Sequence, residues 1–241
     1  MSTIIRKEKD AEIEDFIVSK VTIRKKILRV FFKKLKSSFK FYFFNLWSSR
    51  KFSFFQSKSF NDLLKIYKLR YEVYCEEYNY LKSEDYPDNL EQDKYDPFSQ
   101  HFAIKNGSEE IVGYVRLIFN SKHGFPIESE FDLNFGHIKI DREKTVEISR
   151  LIVSNEYRKL HLILLLVRGI LNFAKDNNVK YAFSVMDDRL LKMLVKMKFP
   201  FRKIGPYTSY QGVTCPNILI LEDLKKELRQ KNKLLFNYLY K

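Results

Sequence analysis

The fold is decided by a segment in the middle of the chain, which reads TVEISRLIVS from residue 145 to residue 154. Its β-branched and apolar residues predict a buried strand. The other elements are predicted in this order: a helix capped by Asp62, strands at 101–105 and 109–119 joined at Asn106-Gly107, a helix at about 157–175, a strand at 179–186, a helix at 187–198, strand-like runs at 201–205 and 215–221, and a charged C-terminal helix. This order predicts an α/β fold with a mixed sheet rather than a doubly wound one.

The basic charge of the chain is unevenly distributed. The formal net charge is +14 over 241 residues, yet residues 61–241 hold 29 basic against 25 acidic side chains. Residues 16–60 contain 12 Lys or Arg, 13 aromatic residues and no Asp or Glu. We therefore predict two parts, a basic aromatic arm over residues 1–60 and a globular domain over residues 61–241.

Within the arm, apolar residues from Leu28 to Leu46 recur at helical spacing, and lysines and arginines take the other side. An amphipathic helix of this kind suits the surface of an anionic membrane. The same pattern also fits a helix whose apolar face packs on the domain. Basic residues between aromatic ones suit single-stranded nucleic acid as well, although no recognition motif accompanies them.

Several classes of protein are disfavoured by what the sequence lacks. Two cysteines, Cys75 and Cys215, give neither a disulfide framework nor a zinc site, so we predict that the protein binds no metal. We also predict a reducing, cytoplasmic location, with a possible peripheral contact to the inner membrane leaflet. The first 15 residues carry charges where a signal peptide would be apolar. The usual dinucleotide, NTP, hydrolase and zincin motifs are missing.

Charged residues interrupt or follow apolar elements at several places, where they must be paired or functional. They are Arg70 on the first helix, Glu91, Asp93 and Asp96 in the loop after it, Arg116 in the strand VGYVRLIF, and Glu147 and Arg150 in the strand VEISRLIV. Strand alternation places Arg150 on the face opposite Glu147, unless a bulge intervenes.

Four motifs give the chain a family resemblance. They are LRYEVYCEE (69–77), LEQDKYDPFSQHF (90–102), VGYVRLI (112–118) and EISRLIVS (147–154). In this order they resemble the autoinducer-synthase branch of the GNAT-type acyltransferases, and most of all its PEP-CTERM/exosortase-system-associated acyltransferases and N-acyl amino acid synthases. The resemblance covers about residues 61–220. It implies a GNAT-like three-layer fold with a mixed, mostly antiparallel sheet.

The resemblance also implies an activity, the transfer of a long-chain acyl group from acyl carrier protein to the amine of a small acceptor. An α-amino group is mostly protonated at neutral pH, so a carboxylate that takes its proton is useful, and we expect Glu147 to be this base. Arg70, Arg116 and Arg150 are candidates for binding an acceptor carboxylate. Glu91, Asp93 and Asp96 would hold the ammonium or orient these arginines.

The donor is expected to bind near the segment after the central strand. This segment has no glycine before Gly169, which favours acyl carrier protein over coenzyme A as the donor that the resemblance implies. Arg158 and Lys159, near a predicted helix N-terminus, would attract the phosphate of a phosphopantetheine arm, although solvated surface is an alternative for both. No bound cofactor is predicted.

The acceptor is expected to contact aromatic side chains, with Tyr74 and Tyr80 as candidates. Homoserine-lactone synthases usually carry Trp at the position of Tyr80, so the sequence favours a free amino acid or another small amine over S-adenosylmethionine. An acyl-homoserine-lactone synthase is the nearest alternative. A non-catalytic module that binds anionic lipid or nucleic acid through the arm is the alternative from another class.

Overall fold

The computed structural model describes residues 51–119, 121–160, 162–210 and 212–241, with the side chains of residues 159 and 160 excepted. The arm helix predicted from Leu28 to Leu46 lies outside the described residues. Among the residues described, no helix has both the length and the apolar character needed to cross a membrane.

One mixed sheet organises the described part of the chain. Its strands are β1 (Phe52–Ser57), β2 (Ser99–Asn106), β3 (Ile111–Ile118), β4 (Thr145–Val153), β5 (Tyr181–Asp187), β6 (Arg202–Lys203), β7 (Thr208–Ser209) and β8 (Val213–Ile220). They follow the order β1-β2-β3-β4-β5-β8-β6, with β7 paired to β8 beside this path. The pairing of β4 with β5 is parallel, and the other pairs are antiparallel. The predicted mixed, mostly antiparallel sheet is confirmed.

Helices cover both faces of this sheet. They are α1 (Phe60–Tyr71), α2 (Pro126–Glu130), α3 (Ile163–Asp176), α4 (Asp188–Lys196), α5 (Leu221–Lys231) and α6 (Lys233–Tyr240). Ala103 of β2 belongs to a core cluster with Ile66 and Leu69 of α1, whereas the ring of Phe102 contacts Phe173 of α3. Because neighbouring residues of a strand point to opposite faces, α1 and α3 lie on opposite sides of the sheet.

Boundaries differ from the predictions at several places, and three of them concern the start of the domain, α1 and the helix after β4. Strand β1 pairs with β2 along its whole length, so the compact unit begins at Lys51, before the predicted boundary at residue 61. Helix α1 begins at Phe60, because the Ser59 hydroxyl accepts the hydrogen bond of the Asp62 amide and caps the helix in place of Asp62. The helix predicted at 157–175 is a 3₁₀ helix at Asn155–Leu160 followed by α3.

Candidate active site

Six charged side chains from α1, the loop after it, β3 and β4 form one ion-pair network, consisting of Arg70, Glu91, Asp93, Asp96, Arg116 and Arg150. Asp96 is its centre: Oδ1 accepts from Nη1 of Arg70 at 2.6 Å and from Nη1 of Arg116 at 2.9 Å, and Oδ2 accepts from the Asp93 amide at 2.7 Å. Nη1 of Arg116 also donates to Oδ1 of Asp93 at 2.6 Å. The sequence predicted all six residues, and the structure brings them together.

Two carboxylates of the network, Glu91 and Asp96, are ionised in spite of burial. Arg70 and Arg150 both donate to Glu91, with nitrogen–oxygen distances of 2.5 to 3.1 Å. Burial disfavours the charge on Glu91, but the two guanidinium groups outweigh it and lower its pKa to about 2. The pKa of Asp96 is lowered by Arg70 and Arg116 in the same way. Both carboxylates thus accept hydrogen bonds from arginines in this structure, while their expected roles, to orient these arginines or to hold an acceptor ammonium, stay predictions.

A β-bulge explains how Arg150 joins this network. Tyr114 lies opposite Ile152 and Arg116 lies opposite Ser149, so β4 has one residue more than β3 between these two pairs. Arg150 occupies the bulge with φ of 52°, a conformation that favours glycine. The extra residue turns the Arg150 side chain toward Glu91 and Asp93, while Nε of Arg116 donates to the Ser149 hydroxyl at 2.9 Å.

Glu147 lies near this network and makes no ion pair in the described part of the chain. Its side chain is buried, with 3% of its surface exposed, and Oε2 accepts the amide hydrogen of Ile127 at 3.0 Å. Burial raises the pKa of Glu147 to about 8, and the hydrogen bond from Ile127 only partly opposes this. At neutral pH the carboxyl group is therefore mostly protonated, and it ionises near pH 8.

A cavity of about 730 Å³ is lined by Glu147 and by other residues of β3, β4, β5, α3 and α4. Strands β4 and β5 pair only over Thr145–Ile148 and Tyr181–Ser184, and beyond these residues they are not paired with each other. Part of the lining is polar or aromatic and includes Tyr74, Tyr80, Asp93, Arg116, Ser149, Arg150 and Tyr210. Another part is apolar and includes Ile163, Val167, Ile170, Val185, Leu190, Leu194 and Phe199. The cavity therefore offers apolar surface for a long apolar group and polar side chains for a small polar group.

Tyr74 and Tyr80, both predicted to contact substrate, line the cavity. The guanidinium of Arg150 stacks over the Tyr74 ring at 5.1 Å from its centre, and burial raises the pKa of the Tyr74 hydroxyl. Tyr80 is 40% exposed and stacks on Tyr78 at 5.1 Å between ring centres. Tyr80 thus borders the mouth of the cavity, whereas Tyr74 supports Arg150.

The guanidinium group of Arg158 forms hydrogen bonds with other groups of the protein. Nη2 of its guanidinium donates to Oε2 of Glu77 at 2.6 Å, Nη1 donates to the other oxygen of this carboxylate, and Nε donates to the Val153 carbonyl at 2.9 Å. A donor phosphate at this place would have to compete with Glu77. The side chain of Lys159 lies outside the described residues.

The sequence interpretation missed two groups of the site. The amide of Ile127 is a backbone donor at the start of α2, and no side-chain pattern identifies such a donor. Tyr210 lines the cavity and packs edge-on against Phe131. Its segment PYTSYQG belongs to the part of the chain that resembles the acyltransferases, which is the signal that could have identified it. Within the described residues, no group of three or more His, Cys, Asp or Glu side chains is placed to hold a metal ion.

Comparisons with known proteins agree with this geometry. Residues 69–168 match the family model described as acetyltransferase (GNAT) domain. Among curated proteins, none matches the chain.

Solved structures with a similar fold include acyl-homoserine lactone synthases and an N-acyl amino acid synthase. The CoA-dependent acyl-homoserine lactone synthase BjaI with SAM and isopentyl-CoA has a TM-score of 0.58 at 20% identity, over 71% of this chain and 82% of BjaI. The acyl-homoserine lactone synthase LasI has a TM-score of 0.58 at 19% identity, over 70% and 89%. FeeM, an N-acyl amino acid synthase from uncultured soil microbes, has a TM-score of 0.51 at 15% identity, over 73% and 94%. The chain therefore has the GNAT fold, and its residues 69–168 match the model of the GNAT acetyltransferase domain.

Proposed function

We propose that this protein is an N-acyltransferase, which transfers a long-chain acyl group from a thioester to the amine of an amino acid or similar small acceptor. The observation that carries the proposal is the position of Glu147, a buried carboxyl group that lines one cavity together with Arg116, Arg150 and many apolar side chains. Its pKa of about 8 is close to the reference value of roughly 7.7 to 8.0 for an α-amino group. Proton transfer from ammonium to Glu147 is then nearly balanced in free energy, as efficient base catalysis requires.

The reaction follows from this placement. Glu147 removes one proton from the acceptor ammonium, directly or through water, and the free amine attacks the thioester carbonyl carbon. The carbon–nitrogen bond forms, the carbon–sulfur bond breaks, and the departing thiolate takes the second proton of the nitrogen. Glu147 then releases its proton to solvent. The products are an amide and a free thiol, and no redox step or metal is needed to balance the reaction.

The ion-pair network would hold the acceptor in place during this step. Its three arginines and three carboxylates balance in charge, so it presents fixed hydrogen-bond groups rather than excess charge. Arg116 and Arg150 both line the cavity, and rigid guanidinium groups position a carboxylate or carbonyl well. The apolar side chains that α3 and α4 contribute to the cavity would contact the acyl chain, because burying each methylene contributes about 0.8 kcal/mol.

We further propose acyl carrier protein as the preferred donor, with acyl-coenzyme A as the alternative. The segment after β4 is a 3₁₀ helix without glycine, and its Arg158 is bound to Glu77, so it offers a poor cradle for the pyrophosphate of coenzyme A. BjaI, whose fold is similar, is CoA-dependent, so the two donors must be compared directly. Rates with palmitoyl-acyl carrier protein and palmitoyl-coenzyme A at equal concentrations test this, and a higher kcat/KM with the coenzyme would contradict it.

The arm gives a proposal of its own, independent of the site. Its lysines and aromatic residues would bind an anionic membrane surface, to which a long-chain product would also partition. Flotation with anionic liposomes, for the full chain and a variant with four arm lysines changed to glutamine, tests this. Equal flotation of the two would contradict it. A link to an exosortase system stays a prediction from the sequence resemblance.

A second candidate function is synthesis of an acyl-homoserine lactone from S-adenosylmethionine. The similarity of fold to BjaI and LasI favours it, while Tyr80 at the cavity mouth distinguishes this chain from the usual tryptophan. Mass spectrometry separates the two functions. The full chain is incubated with both acyl donors, pooled amino acids and S-adenosylmethionine, beside Glu147→Ala. An N-acyl amino acid that is lost in the variant supports the first function, and an acyl-homoserine lactone supports the second.

A further inference from the structure

His101 is a buried histidine of β2 that lies beside the ion-pair network and outside the cavity. Its Nε2 is 3.1 Å from the backbone carbonyl of Asp96, and its Nδ1 is 2.8 Å from the Tyr114 hydroxyl. A carbonyl oxygen only accepts, so Nε2 must carry the hydrogen. In the neutral ring Nδ1 then accepts the hydrogen of the Tyr114 hydroxyl. Both nitrogens are thus used, and the chemistry of the partners fixes the tautomer.

The surroundings of His101 oppose a positive charge on the ring. Facing it are Ser57 of β1, Tyr67 and Arg70 of α1, Asp96 of the preceding loop, and Tyr114 and Arg116 of β3. Burial is the largest effect that lowers the pKa of His101, and the two arginines add to it, while Asp96 acts in the opposite direction. The ring is also stacked on Tyr114 at 6.0 Å between centres, which limits its rotation.

We propose that neutral His101 is a positioning residue, which holds the Asp96 backbone and the Tyr114 hydroxyl next to Arg70 and Arg116. The acceptor site is then assembled only while the His101 ring is uncharged. The link to activity rests on the proposed acyl transfer, whereas the fixed tautomer does not. Asp96 links His101 to the network, because its carboxylate joins both arginines and its backbone carbonyl accepts the hydrogen bond of His101.

Protonation of His101 would disturb the site in two ways. A hydrogen on Nδ1 would face the hydroxyl hydrogen of Tyr114, so this hydrogen bond would have to rearrange. A third positive charge would also lie next to Arg70 and Arg116, whose carboxylate partners Asp96, Asp93 and Glu91 are already paired with arginines. Activity should therefore fall in acid for two reasons, the protonation of Glu147 and the protonation of His101.

Two substitutions separate positioning from simple packing. In His101→Gln, the side-chain amide can still donate to the Asp96 carbonyl and does not titrate, whereas His101→Phe fills the space without either hydrogen bond. At about pH 8 we expect kcat/KM to stay within about threefold of wild type for Gln and to fall at least about tenfold for Phe, the equivalent of one buried hydrogen bond. Below about pH 6.5 we expect log kcat/KM to fall with a two-proton slope in wild type and a one-proton slope in His101→Gln.

A second measurement needs no enzyme activity and tests the tautomer of His101 in the wild-type chain, even where His101→Phe does not fold. In the ¹⁵N-histidine-labelled full chain, NMR reports the tautomer and titration of each of the four histidines, and His101→Gln assigns the signal. The Nε2–H tautomer, with protonation only below about pH 6.5, is expected. A proton on Nδ1 at neutral pH, or an unchanged two-proton slope in His101→Gln, would overturn the proposal. If wild type forms no product, the proposed function fails, while the spectrum still decides the tautomer.

Discussion

Replacing Glu147 by Gln should make the protein a poorer catalyst and, at alkaline pH, a more stable one. The side chain is 3% exposed with a pKa of about 8, against 4.5 in the unfolded chain. A carboxyl group whose folded pKa is raised stabilises the protein most below its unfolded pKa, and this contribution is lost as the pH rises to the folded value. For these two values, the free energy of unfolding falls by about 3 kcal/mol between about pH 5.5 and about pH 8.5 because of this group alone.

Glutamine keeps the shape and does not ionise, so Glu147→Gln should lack this component. We expect urea unfolding of wild type and variant, compared at about pH 5.5 and about pH 8.5, to differ in their pH dependence by about 3 kcal/mol, with the variant gaining relative stability at the higher pH. The same variant should lose roughly 10² to 10⁴-fold in kcat, the usual contribution of a general base. Parallel pH dependence of unfolding, together with near wild-type kcat, would refute the assignment.

Three further substitutions test the network, the cavity and the packing of α3. Asp96→Asn should lower the free energy of unfolding by roughly 3 to 5 kcal/mol, since two buried guanidinium groups lose their shared carboxylate, and urea denaturation measures this. Val167→Phe should shift product profiles toward shorter acyl chains, by about fourfold in kcat/KM for each excluded methylene, whereas Val195→Phe on the exposed side of α4 should leave the profile unchanged. Gly169→Ala should lower the free energy of unfolding by roughly 1 to 3 kcal/mol, measured by thermal unfolding, because its Cβ would lie 1.8 Å from a β1 phenylalanine ring. Gly107→Ala, whose Cβ would have nothing within 4 Å, should be nearly neutral. Equal effects of the two substitutions would contradict the packing.

The sequence predicts the elements whose pattern is local. The strand at TVEISRLIVS is observed as Thr145–Val153, and the two strands of the Asn106 hairpin are observed as Ser99–Asn106 and Ile111–Ile118. Strand β1 was missed because FSFFQS continues the basic aromatic composition of the arm, and only its pairing with β2, about 50 residues later, makes it a strand. Composition reflects only the residues within a segment, whereas strand pairing depends on a partner that is distant in the sequence.

At the site, too, local patterns were predictable from the sequence and long-range contacts were not. The charged residues were recognisable because charge inside an apolar strand needs a reason, and Glu147 and Arg150 are of this kind. The sequence did not reveal which carboxylate meets which arginine, since the bulge at Arg150 shifts its side chain by one position in the strand alternation. It also did not reveal the raised pKa of Glu147, which depends on burial that the whole fold provides.

The ion-pair network has a consequence for how the chain finds its native register. A slip of β4 by one residue against β3 would still bury apolar side chains, so hydrophobic contacts alone reject it weakly. The slip would, however, separate Arg150 from Glu91 and leave a desolvated guanidinium without a counter-ion, at a cost of roughly 3 to 5 kcal/mol. The side chains proposed to bind substrate thus also favour the native register between β3 and β4. We expect variants of the network to populate misregistered sheets during refolding before they lose the native fold itself.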